Sequence, residues 1–387
     1  MTRIFTSGIS KRLIESGTLI MLEKVKQLEA EGRDIIRLDV GEPDLNTPDV
    51  IKTAIIEAIN QNFTRYTSSL GILELREAIS EDLAHLSEVD PTNEILVTPG
   101  SKFPLFSAIL VTINPGDEVL TPYPIWPSHA DTVRLAGGKP VPTINVLEEG
   151  IDEEGVKEAI SKRTKALLVN SPGNPVGNVF DINDVRVLKD LAQDHDLIII
   201  SDEVYRTLTY PGVEHISMLT FEDLRERLVF IDGFSKRFAM TGHRLGYCVV
   251  RNPAIMDAVV KLQQNSTTMA ASFVQKGGVA ALRHGHQFVT QALQQYTRRR
   301  NYLIPRLQEL GMPAPQPKGA FYAFAKLPTG YGSSETFAMN LLEAEQVSTL
   351  AGSVFGRGGE NHLRISYANS LDKITEALER IERFLGK

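Results

Sequence analysis

The stretch "LIIISDEVY", Leu197 to Tyr205, sets four consecutive aliphatic residues before a serine, two carboxylates and a phenol. An aliphatic run without polar alternation suits a strand covered on both faces, because a strand with one wet face must alternate. Three further runs share the design: "EILVTPGSK" at Glu94 to Lys102, "ALLVNSPGNPVG" at Ala166 to Gly177, and "RLVFIDGFSK" at Arg227 to Lys236. Each passes through a polar or glycine-rich turn into a helix-like stretch. This rhythm predicts an α/β fold with a mostly parallel sheet between helices.

Open parallel sheets bind ligands beyond the carboxyl ends of their strands. The residues after these runs are Gly100 and Ser101, Asn174, Asp202 with Tyr205, and Lys236, so the fold predicts their convergence on one rim. An amine, a buried carboxylate and a phenol together suit pyridoxal phosphate. Its aldehyde condenses with lysine, its ring nitrogen wants an acidic partner, and its ring oxygen accepts hydrogen bonds. Gly100 and Ser101 open a helix whose free N–H groups favour an anion, and Arg244 can add a charge-assisted contact to it.

The rest of the chain narrows the classes. Its 387 residues allow a large domain with a smaller one appended, and 42% hydrophobic with 23% charged residues is ordinary globular composition. A formal charge of -7 offers no broad positive field for nucleic acid or anionic lipid. The one cysteine, Cys248, builds neither an intrachain disulfide nor a cysteine-rich metal site, which fits a reducing compartment and points to the cytoplasm. No metal site is expected. No apolar run reaches the length of a membrane span. Helical spacing from Ser10 to Glu31, the strands "GAFYAFAKL" and "HLRISYA", and a helix after the N-cap Ser370 predict a small domain of 1–45 and 293–387, beside a large cofactor-binding domain of 46–292.

With these residues in place, the chain resembles the fold type I pyridoxal-phosphate enzymes, specifically the class I/II aminotransferases related to aspartate aminotransferase. Six ordered motifs carry the resemblance: "GEPD" at Gly41, "RYTSSLG" at Arg65, "NSPGNPVG", "SDEVY", "SKRFAMTGHRLGY" and "LRISYA" at Leu363. It implies a seven-stranded sheet, amino acid and 2-oxo acid substrates, and a homodimer. By the same resemblance Lys236 condenses with the cofactor and moves the substrate α-proton, Asp202 pairs with the pyridine nitrogen, and Tyr205 and Asn174 donate to the ring oxygen. Ser101, Lys102, Ser235 and Arg244 join the cofactor contacts, and Trp126 stacks on the ring with His129 behind Asp202. Arg364 clamps the substrate α-carboxylate, with Asn174 and Gly41 beside it, and Tyr66 reaches the neighbouring subunit's phosphate. Lys102 and Arg12 resemble cations that read an acidic substrate side chain in one subgroup.

Four departures bear on substrate and reaction: "NPVG", His243 where many relatives carry tryptophan, Gly233 where some carry serine, and "ESGT" without the usual proline. A lyase, decarboxylase or oxidase on the same residues is the alternative, since the cofactor's chemistry partitions several ways. A metabolite-sensing regulatory module is disfavoured, because the chain has no spare length for a DNA-binding domain.

Overall fold

All four aliphatic runs become strands of one sheet in the computed structural model, which describes residues 8–12 and 17–387. In chain order the strands are β1 (Ile36–Arg37), β2 (Ile95–Thr98), β3 (Glu118–Tyr123), β4 (Lys139–Asn145), β5 (Thr164–Asn170), β6 (Ile198–Asp202), β7 (Leu228–Gly233), β8 (Gly246–Val250), β9 (Tyr322–Lys326), β10 (Val347–Ser348), β11 (Leu350–Ala351) and β12 (His362–Ser366). The large sheet has seven strands in the order β2-β8-β7-β6-β5-β3-β4. Its neighbours are parallel except around β8, which is antiparallel to both β2 and β7. The carboxyl ends of β2, β3, β5, β6 and β7 therefore share one rim with the amino end of β8.

Burial explains why these strands read as continuous apolar runs. Successive residues point to opposite faces, and both faces are covered. Leu167, Ile199 and Phe230 join one core cluster, while their chain neighbours Leu168, Ile200 and Ile231 join the other, against Leu105, Ile109 and Val259. The last three belong to the helices Lys102–Thr112 and Pro253–Gln264. β4 escaped the sequence reading because "KPVPTIN" carries two prolines. It is the outermost strand, where a missing N–H leaves no central ladder broken.

The small strands come from the chain ends. β1 pairs parallel with β10, and β11, β12 and β9 form an antiparallel three-stranded sheet. "GAFYAFAKL" and "HLRISYA" supply β9 and β12. Ser370 caps the helix Leu371–Phe384 by accepting the Lys373 N–H at 3.3 Å. Within the predicted Ser10–Glu31 helix, the structure forms a 3₁₀ turn at Gly8–Arg12 and a helix at Gly17–Ala30, while 13–16 lie outside the described residues. Asp44, the last residue of "GEPD", takes two bonds from Arg299, at 2.7 and 2.8 Å. That pair ties the segment after β1 to the long helix His286–Glu309.

Candidate active site

A cavity of about 430 Å³ opens at the shared rim of the large sheet, under β9, β11 and β12. Asp202 ends β6 and is 5% exposed. Its Oδ2 lies 2.8 Å from Nε2 of His129, a fully buried residue whose Nδ1 has no partner among the described residues. Facing a carboxylate oxygen, Nε2 is the nitrogen that donates. Its hydrogen bond aims the Asp202 carboxylate into the cavity. Trp126 meets the His129 ring edge-on, with centroids 5.2 Å apart.

At the end of β5, Asn170 acts as a bracket that sequence reading missed. Its Nδ2 donates to the Asp202 carbonyl at 3.1 Å, and its Oδ1 accepts the Asn174 N–H at 3.1 Å. Asn174 Oδ1 in turn accepts from Arg364 Nη1 at 3.2 Å. Arg364 lies on β12, is 4% exposed, and also donates to the Asp39 carbonyl, while its Nε has no partner among the described residues. Its guanidinium lies over the Tyr322 ring at 4.5 Å. A buried arginine with bonding capacity left over is suited to a carboxylate.

Tyr322 is the second residue that the sequence reading passed over. Its hydroxyl lies 2.8 Å from that of Tyr205, and both are buried. Burial, then Tyr322 and Asp202, push the Tyr205 phenol well above its ordinary range, so it stays a proton donor. A Cβ at Gly41 would run into the Tyr322 hydroxyl, which is why the backbone passes there without a side chain. The Gly41 carbonyl accepts from Lys236 Nζ. Burial brings that amine down to about 8, against the pull of Glu42 and with help from Arg364 and Arg244. Ser235, 6% exposed, lines the cavity beside it.

The anion cradle depends on two glycines. Gly100 has φ +80°, and a Cβ there would meet Arg244 Nη2 at 2.6 Å. A Cβ on Gly246 would meet the Ser101 nitrogen at 2.5 Å. Ser101 stands at the N-cap of helix Lys102–Thr112 without a side-chain capping bond. Arg244, at φ +53°, is held by the Thr241 carbonyl at 2.9 Å. Lys102 points its amine over the Trp126 ring at 4.8 Å, and burial next to Arg244 lowers it from its ordinary value.

Two expected residues stand apart. Tyr66 is 86% exposed and does not line the cavity. Arg12 donates to the Leu135 carbonyl at 3.3 Å, at the carboxyl end of helix Pro127–Ala136, and also lies off the cavity wall. In its place the structure brings Arg37 to the wall, held in a two-bond fork by Asp39 at 2.8 Å each. Among the described residues no His, Cys, Asp and Glu group is arranged to hold a metal, and no helix is long and apolar enough to cross a membrane.

A glycine-opened helix start beside Arg244, a proton-donating phenol, a carboxylate aimed by a histidine and a lysine with a depressed pKa suit pyridoxal phosphate, and the residues present fit that cofactor. Comparison with known proteins agrees. Residues 33–381 match the model of the family described as aminotransferase class I and II. The chain is 40% identical over 371 residues to an aspartate aminotransferase of Pyrococcus abyssi, covering 94% of this chain and 95% of that one. It is 38% identical to aromatic-amino-acid aminotransferase 2 of Thermococcus litoralis, over 91% of this chain and 92% of that one. The solved structure of Thermus thermophilus aspartate aminotransferase with maleate superposes with a TM-score of 0.92 at 36% identity, covering 98% of this chain and 100% of that one. The chain belongs to the class I and II aminotransferases, and it is a pyridoxal-phosphate-dependent transaminase.

Proposed function

We propose that this transaminase takes an acidic amino acid as one of its amino donors, with Lys102 reading the distal carboxylate. The observation that carries this reading is Lys102 itself. It lines the cavity and makes no ion pair among the described residues, unlike Arg37, which Asp39 neutralises. The relatives named for aspartate, and the Thermus structure holding maleate, a dicarboxylate, support the same reading. Arg12, off the cavity wall, adds no support within one chain.

Pyridoxal phosphate, when bound, supplies an aldehyde carbon and an electron-withdrawing ring. The protein's part is then divided among its own side chains. Lys236 Nζ, as a neutral amine, would take the proton from the substrate Cα and hold it for return on the same face. Asp202, kept in place by His129, holds the ring nitrogen's proton. Tyr205 and Asn174 donate to the ring oxygen, Trp126 packs on the ring, and Ser101, Ser235, Arg244 and the Lys102 backbone face the phosphate. Arg364 and Gly41 fix the substrate carboxylate and so orient the Cα–H bond toward Lys236.

The exposed Tyr66, with exposed Val50, Ile56, Ile59 and Leu73 in the same part of the chain, supports a homodimer in which Tyr66 enters the neighbouring site. The buried lone Cys248 is consistent with a cytoplasmic protein. The separate sheet of β9, β11 and β12 supports a division into 46–292 and a smaller unit of 1–45 with 293–387.

Half-reactions with an amino-acid panel test the substrate reading. Lys102→Gln is expected to weaken aspartate or glutamate by about tenfold to a hundredfold, the worth of one charge-assisted contact, with alanine little changed. Cofactor retention is the control, because the backbone N–H survives the substitution. Equal losses for acidic and apolar donors would remove Lys102 from that role.

A further inference from the structure

Two of the rim turns, those that carry Tyr205 and Lys236, continue into an arginine turned the other way. Arg206 follows Tyr205, and Arg237 follows Lys236. Neither arginine lines the cavity, and both converge on Asp82, on the helix Leu73–Leu83. Arg237 grips Asp82 through two bonds, of 2.7 and 2.8 Å. Arg206 donates to the same carboxylate from Nη2, and from Nε to Asp232 Oδ2 at 2.6 Å. Asp232, four residues before the lysine, also accepts the Tyr247 hydroxyl at 2.9 Å and the Gly233 N–H at 2.6 Å.

These four charged side chains are 3–8% exposed, and their charges cancel. Although burial pushes the Asp82 carboxyl up, the Arg237 and Arg206 guanidiniums bring it to about 2, so Asp82 stays ionised through the working pH range, while burial raises Asp232 against the pull of Arg206. A buried ion cluster is a poor device for stability, since apolar residues of equal volume commonly do as well. It is a good device for geometry, because planar guanidinium forks admit few orientations. Asp82 takes hydrogen bonds from the arginines of both turns, whereas Asp232 takes one only from Arg206.

We propose that Asp82 is a positioning residue, fixing Lys236 and Tyr205 relative to each other through Arg237 and Arg206. This rests on the proposed roles of Lys236 and Tyr205 at the cofactor. Asp82→Glu tests it in the holoenzyme: the charge is kept and the carboxylate is displaced by one methylene. A misplacement of that size is expected to lower kcat about tenfold to a hundredfold, with KM changed less than about threefold. The visible circular dichroism of the bound cofactor should change, while borohydride reduction still labels Lys236. If Asp82→Glu does not fold, Arg237→Lys, which keeps the charge and loses the fork, is expected to give the same pattern. Wild-type kcat and wild-type cofactor dichroism, measured well below the melting temperature of the folded variant, would overturn the proposal even if that melting temperature had dropped. A reduced label on a lysine other than Lys236 would instead remove the proposed cofactor role, and this inference with it.

Discussion

Lys236 carries the clearest consequence of environment at the level of single residues. Desolvation lowers its amine to about 8, and Glu42 is the strongest opposing influence. The neutral amine is the reactive form, so its fraction, and with it the rate of cofactor capture by the apoenzyme, rises with pH through about 8 and levels off above it. Removing the negative charge of Glu42 withdraws support from the ammonium form. Glu42→Gln is therefore expected to move that inflection to lower pH, in stopped-flow absorbance of apoenzyme mixed with pyridoxal phosphate. An unmoved or raised inflection would show that Glu42 does not act on the amine. The flanking residues fix where the lysine sits: its amine rests on the Gly41 carbonyl and its turn is held from behind through Arg237.

Elements bring these residues together through the direction of the strands. β8 runs against its neighbours, so its amino end, not its carboxyl end, meets the rim and delivers Arg244 opposite Ser101. Gly246, the first residue of β8, lets the turn at Gly100 and Ser101 lie close against the strand. Gly246→Ala is expected to push the Ser101 backbone aside and weaken cofactor binding at least about tenfold, with a stability loss of about 1–3 kcal/mol from overpacking. Fluorescence titration of the apoprotein measures the first and thermal denaturation the second. Cofactor affinity equal to the wild type would mean that the cradle tolerates the shift.

For the whole molecule, the question is whether one chain makes a complete site. Tyr66, 86% exposed, contributes nothing to the cavity of its own chain. Under the proposed homodimer, it acts on the neighbouring site. Tyr66→Ala and Lys236→Ala are each expected to lose activity alone, and mixing them under subunit exchange should then restore it. A hybrid dimer has one intact site of two, and random pairing makes half of the dimers hybrids, so recovery should approach about a quarter of wild type. Absence of any recovery, with exchange verified, would place Tyr66 outside the partner's site.

The α/β class, the strands β2, β5, β6 and β7, and the rim residues at their ends were legible because a strand buried on both faces must be written as an unbroken aliphatic run, while β9 and β12 read as strands of a separate small sheet. The chemistry beyond each aliphatic run follows immediately in the chain. β4 was hidden because an edge strand tolerates the prolines that argue against a strand elsewhere. Asn170, Tyr322 and Asp39 left no local signal, since each works through a contact with a residue far away in the chain, and Arg37 reaches the wall only because the fold brings its strand there. Arg12 shows the same limit in reverse: a resemblance at one position does not say which surface the side chain will meet. The sequence by itself determined which groups could do the chemistry and the order in which strands present them. Only the tertiary structure decided the antiparallel insertion of β8, the closing of β12 over the rim with Arg364, and the convergence of Arg206 and Arg237 on Asp82. Those are packing and charge-pairing outcomes between separate segments of the chain, on which no local propensity or periodicity bears.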